Sequence, residues 1–271
     1  MRHDPGSAFR ALHVPGDPFI LANVWDAGSA RMMVAMGAQA IATSSAAHAF
    51  TLGRPDGRVT RDEALTHAAM LVAAVNVPVS GDFEAGYGEA PEDVADTVRL
   101  ACEAGLAGIS IEDVNSATAA PYPMAEAVAR FRAAASAARA LPRDFVLVAR
   151  ADGIMTGHYD IDAAIRRLLA FEAVGADCLY APLPKTWDDL ARICAATRLP
   201  VNALVAGPYA RHSRADYAAI GAARLSLGSS LARVTHRAIH DAGTAMFGAG
   251  DFSPLAHGLS GAKVDAMLQP E

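Results

Sequence analysis

The stretch Ala104-Gly105-Leu106-Ala107-Gly108-Ile109-Ser110-Ile111-Glu112-Asp113 decides the fold. It closes a helix-period segment, Glu92–Ala104, in which Val94, Val98, Ala101 and Cys102 share one face. Gly105 stands where a left-handed residue ends a helix and redirects the chain. The apolar run Ala107–Ile111 then predicts a strand, and two acids end it. Met36-Gly37-Ala38, Val174-Gly175-Ala176 and Ile220-Gly221-Ala222 repeat the joint. A chain that keeps alternating helix, glycine and apolar run builds a parallel sheet.

Outward from that joint, strand-like runs lie at Phe19–Val24, Gln39–Thr43, Val77–Ser80, Ala107–Ile111, Phe145–Ala149, Ala176–Ala181, Pro200–Leu204 and Ala223–Leu227. A second helical segment, Ile161–Val174, spaces Ile165, Leu168, Leu169 and Glu172 at helical steps. Thr60-Arg61-Asp62-Glu63 reads as a capping box, and Pro91 with Glu92 and Asp93 as a first helical turn. Eight strands with about as many helices predict an α/β fold, a single (β/α)8 TIM-like barrel. One domain spans 1–271, with the barrel at about 18–247 and a tail at 248–271. A doubly wound open sheet is the competing arrangement.

Of the 271 residues 52% are hydrophobic and 19% charged, which supplies a core and excludes a disordered chain. The net charge of -6 without a basic cluster predicts no nucleic-acid partner. Cys102, Cys178 and Cys194 lack C-x-x-C spacing, against a disulfide scaffold or structural zinc. No apolar run approaches the ~20 residues of a membrane span, and Met1–Gly6 carries no signal-peptide core. The expectation is a cytoplasmic protein with no membrane partner.

Polar residues gather where the strands end: Asn23 and Asp26, Ser44 and Ser45, Asp82 and Glu84, Glu112 and Asp113, Arg150 and Asp152, with Asn202 inside the seventh run. In a barrel these ends share one rim, where active sites form. Asp82-Phe83-Glu84 on an extended segment would aim both carboxylates one way, with Glu112 arriving from the next strand. Three carboxylates so close need a cation or raised pKa values. All-oxygen donors favour Mg²⁺, or Mn²⁺, over zinc. Gly86-Tyr87-Gly88 reads either as a turn over the metal group or as a plain glycine turn. Arg150 either pairs with a rim acid or grips a substrate carboxylate.

Together these residues resemble the isocitrate lyase/phosphoenolpyruvate mutase superfamily. The matching stretches are Asn23–Ala30, Thr43-Ser44-Ser45, Leu52–Gly57, Gly81–Gly88, Ile111-Glu112-Asp113 and Val148-Ala149-Arg150. The resemblance implies an α/β barrel, a homotetramer built as a dimer of dimers with a C-terminal helix swapped between subunits, and Mg²⁺ chemistry through an enolpyruvate-like intermediate. It implies that Asp82, Glu84 and Glu112 hold the metal, with Asp56 in its outer shell. Ser44 and Ser45 would bind the carboxylate of a 2-oxo acid, and Arg150 a substrate oxygen. Asp82 and Asn202 complete the candidate substrate contacts, and Arg150, Ser44 and Asp56 are the candidate catalytic set.

The departures narrow the activity. The lyases of the superfamily carry K-K-C-G-H on a gating loop, whereas residues 113–123 here contain no Lys, Cys or His. The Lys- and Asn-containing gate of the mutases is also missing, and Ala42 replaces their bulky aromatic. The metal–enolate half of the machinery remains. It fits best with decarboxylation of oxaloacetate or a related 2-oxo dicarboxylate, because loss of CO2 needs no base. Alternatives are C–C cleavage of a 2-methylisocitrate- or dimethylmalate-like substrate, phosphonopyruvate-type C–P chemistry, and a non-catalytic carboxylate-binding barrel. A Schiff-base role for Lys185 is disfavoured, since it follows Pro182-Leu183-Pro184 outside the strand, where it stays solvated. His48 reads as a loop histidine, His236 and His240 as an exposed or interface helix face, and Tyr180 and Tyr209 as rim residues that can donate protons. The tail beyond Phe247 is expected to cover a neighbouring subunit or fray.

Overall fold

A computed structural model describes residues 4–115 and 118–269, and in it the alternation closes on itself. In chain order the elements are α1 (Pro5–Ala11), β1 (Phe19–Asn23), α2 (Ala27–Ala35), β2 (Ile41–Ala42), α3 (Ser45–Thr51), α4 (Arg61–Ala74), β3 (Val79–Asp82), α5 (Pro91–Glu103), β4 (Gly108–Glu112), α6 (Met124–Arg139), β5 (Val146–Arg150), α7 (Ile161–Ala173), β6 (Cys178–Tyr180), α8 (Trp187–Ala196), β7 (Val201–Leu204), α9 (Arg214–Ala219), β8 (Arg224–Ser226), α10 (Ser230–Ala249) and α11 (Gly261–Leu268). The eight strands pair in parallel, each with the next, and β8 returns to β1 to close the barrel. The open-sheet alternative is excluded.

The local signals act as their chemistry requires. Gly105 sits at φ +94°, and Gly37, Gly175 and Gly221 occupy the same left-handed region. The Thr60–Glu63 box caps α4, and Pro91 opens α5, whose Val94, Val98, Ala101 and Cys102 are buried. The buried face of α7 differs from the sequence expectation: it runs through Ala164, Leu168 and Phe171, while Leu169 is exposed. Phe171 packs against Phe131 of α6, the ring centroids 4.2 Å apart and the planes tilted by 36°.

Below the barrel, α1 crosses the N-terminal strand ends. Arg10 bridges Asp144 and Asp177, the residues just ahead of β5 and β6, at 2.7 and 2.8 Å. Phe9, His13 and Phe19 meet edge to face there, so this end is plugged and the C-terminal ends stay open. In its described part the tail docks on its own chain: α11 packs on α2, and Arg31 donates to the Leu268 carbonyl at 3.2 Å. By contrast α10 buries only Ala232 and exposes Val234, Ile239 and Phe247. No helix among the described residues is long and apolar enough to cross a membrane.

Candidate active site

Asp82, Glu112 and Arg150 are the last residues of β3, β4 and β5, one position or more further into the ladder than the apolar runs alone suggest. The register sets Glu112 directly beside Arg150 and Asp82 beside Ser110. Three adjacent strands thus deliver two acids and a guanidinium to one rim.

Arg150 is the hub. Its Nε and Nη2 fork onto Asp152 at 2.9 and 2.7 Å, and Nη1 donates to Asp82 at 2.6 Å. Glu112 lies 3.1 Å from Nη2, and the guanidinium sits over the Tyr180 ring at 5.1 Å. Of the two readings of Arg150, pairing with a rim acid is realised three times. Asp82 is further held through its other oxygen by the Ser45 N–H and hydroxyl, both at 3.1 Å. Its own N–H donates to the Thr43 hydroxyl at 2.7 Å, a side-chain bond that replaces the ladder where β2 stops.

Glu84 corrects the extended D-x-E picture. Its φ is +46°, so the chain has left the strand and turned before the second carboxylate. Gly86 (+90°) and Tyr87 (+56°) continue the left-handed turn. Buried Arg130 of α6 fixes it from outside, donating to the carbonyls of Ala85 at 2.5 Å and Gly88 at 2.8 Å and also to that of Glu89. The sequence offered no local sign of this support. Asp113 likewise proves to be a buttress: it accepts from the Asp152 N–H, Tyr159 and Arg167 and so positions Asp152.

Two adjoining hollows open at the rim and share Ser45, Asp56, Arg150 and Met155. One, of about 160 Å³, reaches Ser44, Asp82, Tyr180, Arg224 and Ser226. The other, of about 250 Å³, is lined by Glu84, Glu112 and Asp152. Their size suits a small organic acid. Asp56, Asp82, Glu84, Glu112 and Asp152 line them against only Arg150 and Arg224. The excess negative charge is felt locally. Burial, then Asp152, pushes the Glu112 carboxyl well above its ordinary value against the pull of Arg150. Burial and then Asp82 raise Asp56. Burial raises the Tyr87 hydroxyl too, helped by Glu84, Asp82, Glu112 and Asp56. Among the described residues no three His, Cys, Asp or Glu side chains are already disposed as a metal cage; Arg150 is threaded between them instead. The donors are hard carboxylate oxygens in excess of their guanidinium, a set whose chemistry fits a divalent cation.

The remaining candidates divide. Ser44 caps α3, taking the Ala47 N–H at 3.3 Å, and lines the smaller hollow. Asp56 accepts from the Gly57 N–H at 2.9 Å and the Ser45 hydroxyl at 3.4 Å. Asn202 does not reach either hollow: it is wholly buried in the barrel, its amide donating to Ser226 and its oxygen accepting from Arg224. Tyr209 spends its hydroxyl on the Pro184 and Thr186 carbonyls. His48 belongs to α3 rather than a loop and stacks on His67 at 3.8 Å. Lys185 is exposed. Of loop 113–123, residues 116 and 117 lie outside the described residues; Val114 bridges Pro121, and Asn115 and Tyr122 donate to Glu89. Arg224 was missed, although a charged residue inside the run Ala223–Leu227 was a visible anomaly.

Comparison with known proteins agrees with this geometry. A structure from Burkholderia cenocepacia described as a lyase/mutase superposes with a TM-score of 0.92 at 42% identity, covering 96% of this chain and 94% of that one. The 2-methylisocitrate lyase of Escherichia coli is 33% identical over 74% of this chain and 70% of its own. An oxaloacetate decarboxylase of Chromohalobacter salexigens is 29% identical over 81% and 77%. The phosphoenolpyruvate phosphomutase family model matches residues 9–247, and the chain therefore belongs to that family, within the isocitrate lyase/phosphoenolpyruvate mutase superfamily.

Proposed function

We propose that this chain is a cytoplasmic, Mg²⁺-dependent lyase that cleaves a carbon–carbon bond in a 2-oxo dicarboxylate, with decarboxylation of oxaloacetate or a close relative as its reaction. The observation that carries the reading is the surplus of carboxylates around Arg150 at the open end of a barrel of this family. Asp82, Glu84 and Glu112 would hold the cation, with Asp56 behind them. When bound, it supplies a Lewis acid for the oxo oxygen, which takes up charge as the neighbouring bond breaks. Arg150 keeps the acids in position and presents one face to the substrate. Ser45 orients Asp82, and Ser44 fixes the backbone that meets the substrate carboxylate. Ala42, Pro182, Leu204 and Met155 give the smaller hollow an apolar side that strips water from a departing carboxylate.

Loss of CO2 requires no base, and the absence of Lys, Cys and His from residues 113–123 supports it over retro-aldol cleavage. The likeness to a 2-methylisocitrate lyase favours that cleavage as the second reading. Turnover of oxaloacetate, 2-methylisocitrate, dimethylmalate and phosphonopyruvate with Mg²⁺ or Mn²⁺ tests the choice. Pyruvate from oxaloacetate, abolished by EDTA and restored by metal, is expected. Turnover of phosphonopyruvate alone overturns the lyase reading, and binding without any turnover leaves a carboxylate-binding barrel. The exposed face of α10 supports a homo-oligomer, a dimer of dimers that covers it, which sedimentation velocity measures.

A further inference from the structure

Past β5 the chain makes one tight turn, Asp152–Ile154, and the next residue is Met155. Among the described residues four line both hollows of the rim, and three of them are tied down by hydrogen bonds. Ser45 is held to Asp82, Asp56 to the Gly57 N–H, and Arg150 to its carboxylates. Met155 is the fourth and the apolar one, and it is 45% exposed. The backbone beneath it is fixed. The Asp152 N–H donates to Asp113 at 2.8 Å, the Gly153 N–H to the Tyr159 hydroxyl at 2.9 Å, and the Met155 N–H to the Asp152 carbonyl at 3.0 Å. A Cβ at Gly153 would lie 2.3 Å from the Tyr159 ring and 2.7 Å from Pro121, so the turn is packed hard against its neighbours. Ile154 joins the core. A stem held in this way sets an unbranched thioether, with its three torsions, on the boundary between the hollows.

We propose that Met155 is a specificity-determining residue: it limits the width of the substrate at C3, so that the site takes unbranched 2-oxo dicarboxylates in preference to those branched there. The assignment rests on the lyase reading above. In that reading the substrate carboxylate lies at Ser44 and Ser45, in the smaller hollow, and the oxo oxygen turns to a cation among Asp82, Glu84 and Glu112, toward the larger one. A short carbon chain between those ends passes the boundary on which Met155 stands. A branch at C3 has to push the thioether toward solvent or leave the chain misplaced. Ser45, Asp56 and Arg150 cannot make the room, because each would give up hydrogen bonds; the thioether has none to lose. Methionine yields where a β-branched side chain would not, so the exclusion is graded. A methyl group set against such a wall is worth ~10-fold or more in kcat/KM.

The test compares Met155→Ala and Met155→Leu with the parent enzyme. The quantity read is kcat/KM for oxaloacetate divided by that for 3,3-dimethyloxaloacetate. Met155→Ala opens the boundary and should lower this ratio ~10-fold or more. Met155→Leu, of similar volume, should keep it within about threefold. Mn²⁺ affinity and melting temperature should be unchanged in both variants, which marks the effect as one of shape. A parental ratio in Met155→Ala, or an equal fall in Met155→Leu, overturns the proposal. Failure of the function reading looks different: the parent turns over neither diacid. Calorimetric titration with pyruvate and with 3-methyl-2-oxobutyrate, both in the presence of Mg²⁺, then still decides the role of Met155. The branched acid should gain ~10-fold on the unbranched one in Met155→Ala, and an unchanged ratio of affinities overturns the proposal.

Discussion

Two buried guanidiniums face the same hollow and live opposite lives. Arg150, on the β3–β5 side, has Asp82, Glu112 and Asp152 within reach; Arg224, on β8, has an amide oxygen and an unpartnered nitrogen. The sheet could have balanced them by moving one acid across the barrel, and it does not. A cation saturated by the protein's own carboxylates is framework, whereas one left short of an anion is receptive. The polarity of the hollow follows: a wall rich in carboxylates on one side and a guanidinium short of an anion on the other.

The largest effect should come from the acid-rich wall. Glu112→Gln keeps the shape and removes a charge that burial already strains. Turnover should fall by about 10³-fold, in the range of losing one preorganised electrostatic group, and Mn²⁺ affinity, read by electron paramagnetic resonance, should fall with it. Turnover near that of the parent would dissolve the division into two walls. Next comes stability. Arg150→Met strands three carboxylates and should cost about 3 kcal/mol, or on the order of 10 °C in melting temperature. Arg224→Met should cost nothing in the same melt. Equal losses would make both arginines framework.

Acid titration probes the contrast from outside the hollow. His67 donates its Nε2–H to the Trp25 carbonyl, 2.9 Å away, and burial, with His48 beside it, lowers its pKa to about 4. Burial, with Arg224 nearby, lowers His13 to about 3. Both are neutral in the fold and titrate near 6.5 when unfolded. Their contribution is therefore complete above pH 6.5 and is lost as pH falls from there toward 4, because the unfolded chain takes up protons that the fold refuses. For His67 the loss is on the order of 2 kcal/mol. Urea midpoints at pH 7.0 and 4.5 should separate less in His67→Gln than in the parent. Identical separations would return the acid sensitivity to the carboxylates of the rim.

What the sequence revealed was what sequence neighbours control. The Gly105 joint, the eight apolar runs and the arrival of Asp82, Glu112 and Arg150 at strand ends all follow from local pattern. Glu84 was legible as an acid near the site but not in its conformation, because the turn at 84–89 is held by Arg130 from α6, some forty residues away. Asn202 was assigned to the rim because strand ends carry polar residues, yet its partners on β8 draw it into the interior. The docking of α11 on α2 joins the two ends of the chain, and no periodicity announces such a contact. Arg224 is the instructive omission: an arginine inside an apolar strand run was readable, and only its missing partner gave it meaning.

A third cation bounds the comparison, and the smallest effect belongs to it. Lys185 is exposed just past β6, on the outer surface beside Trp187 and Tyr209, and lines neither hollow of the rim. An amine acts as a carbonyl nucleophile only when burial or a neighbouring cation keeps it neutral, and open water does neither. Lys185→Met should therefore leave turnover within twofold, and borohydride added during turnover should leave no reduced adduct on the parent chain, as mass spectrometry would read it. An adduct at Lys185 would route the carbonyl chemistry through an amine on the outer surface. The polarity of the hollow, acids on one wall and Arg224 on the other, would then have no reaction to serve.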